Sequence, residues 1–220
     1  LSSDQLWQNC QDTIKRSIGL FEQAGYDLEV EDYHFTILLG NPEKPMLQLN
    51  KGYSGDGGIP GYLMLSLLPN DYTLPRVQAA LAHECNHNVR FQFVKWNQQT
   101  TLADWVVSEG LAESFAAELY GKDLIGPWVT STSPEQLEEI KPIISSQLQL
   151  TGMAEMAPYL YGDEIAKIQG QIPVGMPYAA GYAYGYHLIQ AYLKKTGKSI
   201  IEATVTPTEE ILEATKDFWK

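Results

Sequence analysis

The sequence predicts an α+β chain, mostly helical, with a small mixed β-sheet lobe over residues 1–95 and a helical lobe over residues 100–220. Three observations predict it. Two short runs rich in β-formers, YHFTILLG (33–40) and YLMLSLL (62–68), fall in the first half of the chain. A glycine-rich stretch separates them. Beyond about residue 100 every periodic segment repeats at helical spacing. The length fits one domain with two lobes, and such a chain buries a core without disulfide staples.

The elements follow in order. Residues 4–24 read as an amphipathic helix, with Leu6, Trp7, Cys10, Ile14, Ile18 and Phe21 recurring on one face. Residues 33–40 read as a buried strand closed by Gly40, and KGYSGDGGIPG (51–61) as a loop. Residues 62–68 read as a second strand, followed by the turn PNDY. Thr73 and Pro75 open a helix to about Phe93, with proline in a tolerated first-turn position. WNQQTT (96–101) is a polar connector. An amphipathic helix over 101–120 stops at Gly121, Pro134 and Pro142 bracket a shorter one, and helices over 178–197 and 207–218 complete the chain. No internal repeat or low-complexity tract interrupts this order.

Fifteen Lys and Arg against 27 Asp and Glu give a net charge of −12. That argues against a nucleic-acid partner, which calls for a basic patch. No run approaches the ~18 apolar residues of a membrane span. Cys10 and Cys85 are expected to be free, buried thiols of a reducing compartment. The chain is therefore read as cytoplasmic, with secretion after removal of a leader as the other option. Oligomeric state is not legible.

The chemistry concentrates in LAHECNHNVR (81–90). On a helix, residues four apart lie about 40° apart and one turn up, so His83 and His87 aim at a single ion. Glu84 sits about 100° round from His83, beside that ion rather than on it. A carboxylate there takes a proton from a water that zinc has acidified to a pKa near 7. A catalytic zinc needs a third protein ligand and an open position. His34 is far upstream on an expected strand, while His187, one hundred residues downstream, is a candidate. The preferred donor is Glu109 in WVVSEGLAESFAAELYG (105–121), with Glu113 four residues on as the acceptor for a ligand histidine's second N–H. Trp105, Ala112 and Ala116 share that side of the helix, so the face reads as buried. Arg90, two turns above His83, reads as a structural brace between the two helices.

HECNH followed 22 residues after its second histidine by the glutamate of EGLAE resembles the gluzincin metallopeptidases. The extended forms HExxHxxR and EGLAESFA, with AGYAYGYHLI (180–189), are similar to the YjaZ-like predicted zinc-dependent proteases of bacteria. The resemblance implies a thermolysin-like, zincin-like domain whose two lobes flank a zinc cleft. It implies Zn²⁺ on His83, His87 and Glu109, Glu84 as general base and Glu113 as the supporting acid. It places Tyr182 as the donor to the developing oxyanion, with Tyr184 and His187 in reserve. It also implies a strand before the active-site helix, around 58–68, that pairs with an extended peptide or protein substrate. Two other readings stay open: a non-catalytic or regulatory zinc protein, and a zinc hydrolase of a non-peptide amide or ester.

Overall fold

A computed structural model describes residues 3–219. The chain divides into two compact units, one running to Lys95 and taking in Phe115–Ile125, the other comprising Trp96–Ser114 and the chain from Gly126 onward. It is a mostly helical α+β chain with one small mixed sheet.

The first unit holds α1 (Asp4–Gln23), β1 (His34–Leu39), α2 (Pro45–Leu49), β2 (Tyr53–Ile59), β3 (Tyr62–Leu67) and α3 (Val77–Phe93). The sheet order is β1-β3-β2, with β1 parallel and β2 antiparallel to β3. Leu63, Leu65 and Leu67 of β3 turn inward, and α3 packs on β2, β3 and α1. The buried face of α1 is the predicted one, with Cys10, Ile14, Ile18 and Phe21 inside, although Leu6 and Trp7 are only half-buried. Both cysteines are free and buried. Burial holds the Cys10 thiol up at about 11 and raises Cys85 further.

The sheet corrects three expectations. The stretch read as a glycine-rich loop contains strand β2. Gly55 and Gly57 face α3 so closely that a side chain would not fit. The run read as a buried strand, β1, buries only Ile37, because it is a sheet edge with one covered face. And β3 is the central strand, paired on both sides, so its edges are not open; the outer edge nearest α3 belongs to β2. Helix α2 was not anticipated, being a single turn begun by Pro45.

The second unit is helical. It contains α4 (Leu102–Tyr120) as far as Ser114, then α5 (Pro127–Thr130), α6 (Pro134–Ser145), α7 (Met153–Tyr161), α8 (Asp163–Ile168), α9 (Ala180–Thr196), α10 (Ile200–Val205), α11 (Thr208–Ala214) and α12 (Lys216–Trp219). Helix α9 is the hub, packed by α5, α6, α7, α11 and α12. Helix α6 begins with a capping box between Ser133 and Gln136 and runs through Pro142 into one further turn. The helix expected over 207–218 breaks at Thr215. Helix α4 is not amphipathic: from Leu102 to Ala117 only Asp104 escapes full burial, so Ser108, Glu109, Glu113 and Ser114 are buried polar groups.

Candidate metal centre

Helix α3 is buried on nearly every side, and it takes His83, Glu84 and His87 inside with it, at 4 %, 7 % and 7 % exposure. The helical offset does what the sequence requires. The two Nε2 atoms stand 3.1 Å apart. Two nitrogens on one tetrahedral zinc, each at about 2.0–2.1 Å, stand roughly 3.3 Å apart, so this pair is already near the spacing for sharing an ion. The His87 ring stacks on Phe91, one turn further, with centroids 5.7 Å apart. Glu84 lies against β2, where its carboxylate and the methylene before it fill the space a side chain at Gly55 would need.

The same helix grips the hairpin that carries β2. Asn88, fully buried, accepts from the Gly61 amide at 2.7 Å. Its side-chain NH₂ donates toward the carbonyls of Gly57, Ile59 and Tyr62 at 3.1, 2.8 and 2.9 Å. Between Asp56 and Ile59 the β2–β3 register shifts, and this is the bulge those bonds hold.

Helix α4 brings the carboxylates. Glu109 and Glu113 are buried at 7 % and 2 % exposure. The Trp105 indole donates to Glu109 Oε1 at 3.3 Å. Glu113 accepts the Gly126 amide on Oε1 at 2.6 Å and the Trp128 indole on Oε2 at 2.7 Å. An ionised carboxylate offers about four lone-pair sites, so these bonds leave Glu113 capacity for a further donor. The placement of this stretch depends on a backbone crossing: a Cβ on Gly110 would collide with the Gly185 carbonyl, and one on Gly185 with the Val106 carbonyl. Glycines in both helices let α4 and α9 touch along their backbones.

One ligand atom each from His83, His87 and Glu109 lie within 4.8 Å of one another, and all three residues are buried. Among the described residues this is the group of histidine, cysteine and acidic side chains that could hold a metal ion. Two imidazoles and a carboxylate are a donor set zinc accepts, and three protein donors leave a fourth position for water or substrate.

His34 and His187 lie outside that group. His34 sits exposed on β1, stacked on Tyr62. The fully buried Tyr184 has its hydroxyl 3.1 Å from Ser145 Oγ, and burial pushes it up to about 12. His187 is held below the usual histidine value by burial and then by Lys141. The Tyr182 ring meets Trp128 at 6.2 Å and Tyr161 at 6.1 Å, and Tyr161 in turn meets Trp105 at 5.6 Å. The indole donors to both glutamates thus belong to one aromatic cluster with Tyr182. Burial raises Tyr186, and Glu113 adds to the shift. Arg90 is wholly buried at the end of α3. The sequence offered a cue to Trp105, four residues before Glu109. It offered none to Trp128, which reaches Glu113 from beyond the end of α4.

No solved structure matches the chain. It is 37 % identical over 213 residues to the uncharacterized protein YjfC of Bacillus subtilis, covering 96 % of this chain and 71 % of that one. It is 27 % identical over 155 residues to the uncharacterized protein YjaZ of the same organism, covering 69 % of this chain and 55 % of the relative. A family profile described as "Predicted Zn-dependent protease (DUF2268)" matches residues 6–213. With nearly its whole length matched, and the YjaZ likeness read from its motifs supported, the chain belongs to this family of predicted zinc-dependent proteases.

Proposed function

We propose that the chain is a zinc-dependent peptidase of zincin-like fold, with His83, His87 and Glu109 as the metal ligands and Glu84 as the general base. The observation that carries this reading is the buried His–His–Glu group with a second buried carboxylate, Glu84, next to His83 on α3. A structural zinc site has no use for that extra carboxylate and closes its fourth position with Cys or His. Zinc, when bound there, supplies Lewis acidity that polarises a carbonyl and makes water nucleophilic near neutral pH.

The chain's own groups do the rest. Glu84 takes a proton from the attacking water and passes it to the leaving amine. Tyr182 donates its hydroxyl hydrogen to the substrate oxygen as charge develops on it. Glu113, fixed by Gly126 and Trp128, orients a ligand histidine through the ring's second N–H. Arg90, a guanidinium with no exposure, acts structurally, because a buried charge must be matched by an acid. The outer edge of β2 offers backbone N–H and C=O groups to an extended peptide, in place of the β3 edges first expected. The substrate is accordingly a peptide or protein.

Two measurements test this. Bound metal, read by mass spectrometry, is expected at one zinc per wild-type chain and to fall at least tenfold in affinity in Glu109→Ala. Cleavage of a peptide library is expected from the zinc-loaded chain and not from the chelated one. Unchanged zinc affinity in Glu109→Ala removes the ligand assignment; no cleavage of any peptide by the zinc-loaded chain removes the peptidase.

A further inference from the structure

Strand β2 carries three glycines in four residues, Gly55, Gly57 and Gly58. Glycine weakens a strand, so this composition needs a cause. Backbone conformation is not the cause, since none of the three has a positive φ. Space is. A Cβ at Gly57 would overlap the main-chain carbonyl of Glu84, and a Cβ at Gly55 would overlap the Glu84 side chain from Cγ to Oε1. The two glycines, two apart and therefore on one face of the strand, meet different parts of the same residue.

We infer that Gly55 is a positioning residue for Glu84: its missing side chain is the space in which the general base sits, and this inference rests on the proposed role of Glu84. The strand has no freedom to make that space in another way. Asn88, one helical turn beyond Glu84, ties the bulge to α3 through Gly57, Ile59, Gly61 and Tyr62. With the strand pinned, a methyl group at position 55 displaces the carboxylate rather than the backbone. Gly57 has the opposite character, because its obstacle is helix backbone that cannot rotate away.

The test is a pair of cycles. In steady-state hydrolysis of a peptide taken from the library, Gly55→Ala is expected to lower kcat on the order of 100-fold, as a displacement of about 1 Å does. KM should stay within about threefold and zinc content unchanged, since neither depends on the carboxylate. In the Glu84→Ala background, which lacks every atom that the added methyl group overlaps, Gly55→Ala is expected to lower the residual rate less than about threefold further. Equal losses in both backgrounds, or none in the first, overturn the inference. The second cycle needs no catalysis and decides the matter even for a chain that cleaves nothing. Gly55→Ala should lower Tm in the wild-type background and leave it unchanged beside Glu84→Ala. Equal lowering in both overturns it. If Gly55→Ala alone does not fold, folding of the Gly55→Ala, Glu84→Ala double variant supports it and failure of that variant overturns it.

Discussion

Asn88→Ala should unfold the hairpin's attachment to α3, and its cost follows from the four contacts the side chain makes. Asn88 is fully buried. Its bonds to the Gly61 amide and the Gly57 carbonyl lie in buried surroundings; those to Ile59 and Tyr62 are partly buried. Leaving a buried donor or acceptor unmatched costs about 1–3 kcal/mol each, and a partly exposed bond contributes about 0.5–1.5 kcal/mol. The amide has two hydrogens for three carbonyls, so one of those bonds is shared, and water entering the gap offsets part of the loss. The expected destabilisation is about 3–5 kcal/mol, a large share of the roughly 5–15 kcal/mol that holds a typical domain together. At about 2–4 °C per kcal/mol for a chain of this size, Tm should fall by roughly 6–20 °C. Asn88→Asp should be worse at neutral pH, because a carboxylate oxygen would then face three carbonyls, and should recover in part in acid, where the protonated group can donate again. Urea unfolding followed by circular dichroism measures both. A loss under about 1 kcal/mol in Asn88→Ala, or wild-type stability in Asn88→Asp at pH 7, would refute the argument.

Other consequences concern the second unit. Tyr182→Phe is expected to lower kcat about 10–1000-fold with KM little changed, as removal of an oxyanion donor does. Tyr184→Phe should leave kcat alone and lower stability by about 1 kcal/mol, because its hydroxyl bonds Ser145. Trp128→Phe removes a donor to Glu113 and should weaken zinc binding by about 10–100-fold, read by competition with a chromogenic chelator. Burial, and then Lys141, hold His187 below the usual histidine value in the fold. The unfolded chain protonates this group near pH 6.5, so the stability it contributes is present above about 6.5 and is lost as pH falls below it. Urea midpoints at pH 7.5 and 5.5 should therefore converge in His187→Gln relative to wild type.

What is legible in the amino-acid sequence of this protein, and what is hidden in it, divides along physical lines. Helical offset is a local rule, and spacing alone brings His83, His87, Glu109 and Glu113 into view, as it does the inward face of α1. Strand β2 was missed for the reason that makes it informative. Its glycines answer to a neighbour more than twenty residues away, and read alone they signal a loop. The exposed face of β1 was misjudged because an apolar run does not say whether one side or two will be covered. The side of α4 that carries Glu109 and Glu113 reads as buried from Trp105, Ala112 and Ala116, but the burial of its other sides does not, because it depends on Gly110 admitting α9. Trp128 could not be anticipated, since its partnership with Glu113 exists only after the chain has turned at Gly126.

Whether a zinc held by His83, His87 and Glu109 works with Glu84 as base is decided by comparing wild type with Glu84→Gln. Metal content and peptide cleavage should be measured on the same samples. One zinc per chain is expected in both, and cleavage at least about 1000-fold slower in Glu84→Gln. Peptide cleavage at the wild-type rate by zinc-loaded Glu84→Gln would contradict this mechanism, as would a wild-type chain that binds no zinc.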